Sequence, residues 1–68
     1  MSIRDLIDQF EIQGAYCIKS WDDNDETYIV IAKGEDFEYE HWKINDEHLE
    51  RNIAYMYAVD GVLNIEIE

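Results

Sequence analysis

Ile53-Ala54-Tyr55-Met56-Tyr57-Ala58-Val59-Asp60-Gly61-Val62-Leu63-Asn64-Ile65-Glu66-Ile67 is the stretch on which the fold turns. Two runs rich in β-branched and aromatic residues flank Asp60-Gly61, a dipeptide that suits a type I′ turn because both positions tolerate positive φ. A two-residue loop fixes the register. Val59 then faces Val62, Ala58 faces Leu63, Met56 faces Ile65 and Ala54 faces Ile67. One face gathers Ala54, Met56, Ala58, Leu63, Ile65 and Ile67. The other gathers Ile53, Tyr55, Tyr57, Val59, Val62, Asn64 and Glu66.

Nearer the N-terminus, residues 12–21 also alternate with a period of two. Asp22-Asp23-Asn24-Asp25-Glu26 has no apolar member, and 27–33 returns as a β-branched and aromatic run closed by Gly34. A second hairpin with a five-residue acidic tip is expected. Phe37 to Trp42 alternates as well and reads as a third strand or an irregular link. Asn45 suits an N-cap, Asp46 and Glu47 suit a first turn, and Ile44 and Leu49 suit a hydrophobic staple. These residues predict a short helix near 45–52. At the start, Ser2 and Asp5 form a capping box, and Ile3, Leu6, Ile7 and Phe10 make one apolar stripe. So short a helix must dock on something to persist.

The expected fold is α+β, a single small acidic domain over residues 1–68. It is an antiparallel sheet of four to five strands with the N-terminal helix on one face. The other sheet face, with Ile53, Tyr55, Tyr57, Val59, Trp21, Ile29 and Ile31, then needs a cover. Segment 37–52 or a second copy of the chain would supply one. Tyr55, Tyr57 and Val59 are accordingly the candidate dimer contacts.

Charge sets the function classes. Seventeen Asp and Glu against five Lys and Arg give a net charge of −12, while 47% of residues are hydrophobic and 13% aromatic. Disorder needs low hydrophobicity beside high charge, so this chain is expected to fold. Direct nucleic-acid binding is disfavoured, because phosphate is repelled. No apolar run approaches the roughly 20 residues of a membrane span, and no signal peptide opens the sequence, so a cytoplasmic protein with no membrane partner is expected. Cys17 stands alone, which excludes a disulfide scaffold.

No constellation of catalytic residues stands out. The acids 22–26 are hard oxygen ligands, but the glycine and the terminal Glu of an EF-hand loop are missing. Cys17, His41 and His48 are scattered, where zinc sites use closely spaced pairs. Cys17 has no neighbouring His or base, and the three glycines of the chain form no phosphate loop. A non-enzymatic protein without metal or cofactor is the expectation.

The acids gather in two clusters: Asp22, Asp23, Asp25 and Glu26, then Glu35, Asp36, Glu38 and Glu40. On a strand, Glu38 and Glu40 lie about 6.6 Å apart. Phosphates recur about every 3.4 Å along a DNA strand. Solubility alone needs a net charge of only about 2–8 in a small domain.

Ser2-Ile3-Arg4-Asp5-Leu6, Ile12-Gln13-Gly14, Gly34-Glu35-Asp36-Phe37 and Tyr55-Met56-Tyr57 with Val62-Leu63-Asn64-Ile65-Glu66 resemble short acidic, mostly uncharacterised proteins of phages and mobile elements in Firmicutes-like bacteria. That resemblance implies an accessory or inhibitory role, including anti-CRISPR or anti-restriction activity. It transfers no site residues. The expected function is an interaction protein that binds a basic protein surface through both acidic clusters, with Tyr39, Trp42 and Trp21 as apolar anchors. In its sharpest form it mimics nucleic acid. The alternative is a structural homodimerising domain whose acids only confer solubility.

Overall fold

Ser2 starts the first helix as the sequence demands. Its Oγ accepts from the Asp5 amide at 3.1 Å, and its own amide donates to Asp5 Oδ2 at 3.1 Å. Those bonds from Ser2, its backbone amide foremost, hold the Asp5 carboxyl below the usual carboxylate range. A computed structural model describes residues 1–68. It contains α1 (Ile3–Gln9), β1 (Tyr16–Asp22), β2 (Thr27–Gly34), α2 (Phe37–Glu40), a 3₁₀ turn (His41–Lys43), α3 (Asp46–Leu49), β3 (Ile53–Val59) and β4 (Val62–Ile67).

The fold is α+β with one four-stranded sheet in the order β2-β1-β4-β3. Both hairpins are antiparallel, but β1 and β4 pair in parallel, so the sheet is mixed and not purely antiparallel. The physical reason is the link between the hairpins. Parallel neighbours need a long crossover, and the α2–α3 segment supplies it. Segment 37–42 is therefore helix and 3₁₀ turn, not a strand. Its Phe37 is buried under the sheet, edge-to-face with Tyr16 at a centroid distance of 5.3 Å.

Nine apolar residues form the core: Ile3 and Leu6 of α1, Tyr16 and Ile18 of β1, Phe37, Ile44, Leu49, and Ile65 and Ile67 of β4. Every helix thus packs on the same sheet face. Segment 37–52 shares that face with α1 and does not cover the other one.

Local registers depart from expectation in four places. β1 begins at Tyr16, not Ile12, after Gly14 turns the chain at φ +97°. Asp22 pairs with Thr27, so the acidic tip has four residues, and Glu26 takes positive φ to close it. A bulge opposite Ile18 and Lys19 turns Ile31 toward the core and leaves Ile29 paired with Ser20, on the helix side. A second bulge at Ala54 pairs Ile53 with Ile67 and packs Ile53 against the core, where Ala54 was expected opposite Ile67. The Asp60-Gly61 turn itself is as expected, with φ 51° and 78°. So are the pairs Val59–Val62, Ala58–Leu63 and Met56–Ile65.

Ile18 and Ile65 are fully buried partners across the parallel seam. Ile18→Ala should lower stability by about 2–5 kcal/mol in urea unfolding. Gly34→Ala should also destabilise, because its new methyl collides with the Glu40 carboxylate and approaches the Tyr16 ring to 2.8 Å. Loss of the 3.2 Å Tyr16 hydroxyl bond to Glu40 would accompany it, read as a changed tyrosine environment in near-ultraviolet circular dichroism.

Candidate functional site

Two surfaces of opposite character result from one-sided cover. The first is the helical layer. Ten of the seventeen carboxylates lie in or beside α1–α3: Asp5, Asp8, Glu11, Glu35, Asp36, Glu38, Glu40, Asp46, Glu47 and Glu50. Only two, Asp22 and Glu66, lie in strands. Strand positions that pack or face neighbours favour apolar side chains, whereas the outer sides of short helices and loops are free to carry charge.

The second acidic cluster belongs to this layer. Glu35 is exposed, while Asp36, Glu38 and Glu40 are half-buried. Glu40 accepts from the Tyr16 hydroxyl, which burial first and Glu40 second hold above the usual tyrosine range. Glu38, Asp8 and Glu11 line a shallow groove together with His41 and Phe10. Asp8 and Glu11 were not among the candidates read from the sequence. Their place on the outer side of the apolar stripe Ile3-Leu6-Ile7-Phe10 was the available signal. Tyr39 and Trp42 are 75% and 70% exposed, and the Trp42 indole donates to the Tyr39 carbonyl at 2.6 Å. That bond locks the large ring outward. Arg4 ties the layer together by pairing with Glu50 and, at 3.4 Å, with Asp46.

The first cluster lies elsewhere. Asp23, Asp25 and Glu26 are exposed at the β1–β2 tip, and half-buried Asp22 accepts from the Asn24 amide at 2.9 Å. Glu35 sits just past the opposite end of β2. At about 3.3 Å per residue the two clusters stand about 20 Å or more apart. They form two sites, not one patch.

The second surface is the open sheet face. Trp21 lies here, away from Tyr39 and Trp42, with Tyr28 edge-on at 5.0 Å. The register adds Cys17 and Lys19 of β1, Val30 and Lys33 of β2, Val62, Asn64 and Glu66 of β4, and Tyr55, Tyr57 and Val59 of β3. Trp21, Tyr28, Val30, Tyr55 and Val59 are 43–68% exposed, and Tyr57 is 37% exposed. Lys19 occupies the middle. Its Nζ sits 4.7 Å from the Tyr28 ring centre and 5.4 Å from that of Tyr57, and donates to Asn64 Oδ1 at 3.3 Å. Contact with Tyr57 foremost, and Glu66 to a smaller degree, raises the Lys19 pKa. Tyr28 was missed as a candidate because a five-residue tip sets Thr27, not Tyr28, opposite Trp21, whereas Lys19 shares the Trp21 face by alternation alone.

The chain's remaining nucleophilic and ligating groups stay apart. Cys17 is on the open face, His41 on the 3₁₀ turn and His48 on α3, and no three His, Cys, Asp or Glu side chains converge as a metal cluster. No helix is long and apolar enough to cross a membrane. No family model, curated protein or solved structure matches the chain.

Glu66 is the main cause of a raised Tyr28 pKa, ahead of burial. Raised in the fold, this tyrosine contributes stability below its unfolded pKa, and that contribution is lost as pH rises through the folded value. Glu66→Gln should move the Tyr28 pKa down toward the ordinary tyrosine value of about 10, measured by NMR titration of the ring resonances.

Proposed function

We propose that the protein is a non-enzymatic interaction protein whose acidic helical layer binds a basic protein surface. The observation that carries this reading is the segregation of charge. Ten carboxylates share one layer with two outward aromatic rings, while the opposite face is almost free of acids. Solubility alone would be served equally well by acids on every surface.

Within that layer, Glu35, Asp36, Glu38 and Glu40 act with Asp8 and Glu11 as the charged field. Tyr39 and Trp42 are the anchors that displace water at the contact. The hairpin tip, with Asp22, Asp23, Asp25 and Glu26, gives a second charged contact for a long basic groove. A groove built for nucleic acid has this character, with basic side chains along its length and aromatic or apolar walls. In its sharpest form, the protein is a nucleic-acid mimic that occupies such a groove in a phage-defence nuclease or a DNA-binding protein. The resemblance to short acidic proteins of phages and mobile elements agrees with that role.

The test uses the intact chain immobilised against a panel of purified nucleases and DNA-binding proteins. Binding should fall steeply between about 50 mM and about 500 mM salt and be displaced by duplex DNA. Glu35→Lys with Glu38→Lys should weaken it at least about tenfold, and Trp42→Ala should weaken it further. Binding that is unchanged by salt and by the charge reversals would overturn the proposal.

A further inference from the structure

The open sheet face has a charge pattern that complements itself. Lys19 and Lys33 are the basic residues of this face and Glu66 is its one acid. Neither lysine has a carboxylate within 4.0 Å, although the chain carries seventeen. Lys19 and Glu66 are register partners on adjacent inner strands, yet the ammonium turns to Asn64 and the tyrosine rings instead.

Rows across the sheet show what a second copy would meet. One row runs Val30, Lys19, Glu66, Tyr55 from β2 to β3, and the next runs Lys33, Cys17, Asn64, Tyr57. A twofold axis in the interface, parallel to the strands and above the β1–β4 seam, keeps each row at its own height and reverses its order. Lys19 then stands over the other copy's Glu66, and Val30 over its Tyr55. In the second row, Lys33 stands over Tyr57. An in-plane axis at right angles to the strands, crossing the first row, would instead oppose Lys19 to Lys19. Charge therefore selects the first arrangement.

We propose that a second copy of this chain covers the open face in this way, as a face-to-face homodimer with reciprocal Lys19–Glu66 contacts. Area permits a compact interface: four strands about 4.8 Å apart and about seven residues long present about 450 Å² per copy in plan, against the roughly 800 Å² of a standard interface. Other occupants fit less well. A nucleic acid would meet a protein of charge −12, and a basic partner would meet two unpaired lysines. A second copy supplies its own counter-charges and leaves both acidic layers on the outside, remote from each other. The helical layer stays free, so this inference is independent of the partner binding proposed above.

Sedimentation equilibrium of the intact chain over about 1–500 μM tests it. Apparent mass should climb from 8.1 kDa toward twice that value. Lys19→Glu and Glu66→Lys should each weaken association at least about tenfold, and the double variant should restore it, because the exchanged charges again face each other. Circular dichroism checks the fold of each variant. Should a single variant unfold, Lys33→Glu at the exposed edge reads the same interface by placing a carboxylate over Tyr57. Higher salt should strengthen this dimer by screening the two net charges, whereas it weakens binding of a basic partner. A monomer at every concentration and salt would overturn the proposal. So would a dimer unaffected by the charge exchanges, which would place the contact elsewhere, such as the β3 edge.

Discussion

The parallel seam between β1 and β4 holds this molecule together. Each hairpin is a local structure, and an isolated hairpin is at best marginal in water. Joined through Ile18 beside Ile65 and Ser20 beside Ile67, the two make a sheet wide enough to receive α1 and the α2–α3 segment. Both isoleucines at the first of these positions are wholly excluded from solvent. The burial of Phe37 and the placement of the acids both depend on the seam being inner and the hairpins being outer.

One-sided packing is the second constraint. Three short helices cannot cover both faces of a four-stranded sheet, and all of them take the side on which Ile3, Leu6, Phe37, Ile44 and Leu49 can meet Tyr16, Ile18, Ile65 and Ile67. The result divides the chemistry of the chain. Charge collects where residues are tethered by short helices and loops, and aromatic residues collect on the bare sheet. A net charge of −12 would oppose compaction if it were spread evenly. With fourteen of the seventeen acids in the helical layer and at the β1–β2 tip, the charge leaves the sheet free to pair and to pack.

Much of this was legible in the sequence, because it rests on local rules. The Ser2–Asp5 capping box, the α1 stripe and the Asp60-Gly61 turn each depend on a few adjacent residues. On the sheet, the residues lost to sequence reading involve a count that slips by one. The tip after Asp22 is a residue shorter than its acidic run suggests, and the bulges near Ile31 and at Ala54 shift the register of the residues beyond them. Each slip moves side chains to the other face, so Ile53, Ile29 and Ile31 changed sides and Tyr28 joined Trp21 unforeseen. Phe37 to Trp42 misled for a different reason. Its alternation suits a strand, but Phe37 is claimed by the core and the chain must cross to reach β3. Tertiary demand overrides a period-two pattern of six residues. The two acidic clusters flank strand β2 in the sequence, and its extended length holds them apart in the fold.

The seam also sets the order in which the molecule can assemble. A hairpin closes on a scale of about 1–10 μs, since its partners are near in sequence. The β1–β4 pairing joins residues from opposite ends of the chain and must wait for a large loop to close. β4 comes last in chain order yet lies inside the sheet, so a ribosome-bound chain halted before Val62 has β1 without its inner neighbour and α1 without Ile65 to rest on. Until β4 pairs, β1 lacks its inner neighbour and the aromatic strands lack a core behind them, and a net charge of −12 opposes association between chains in that state.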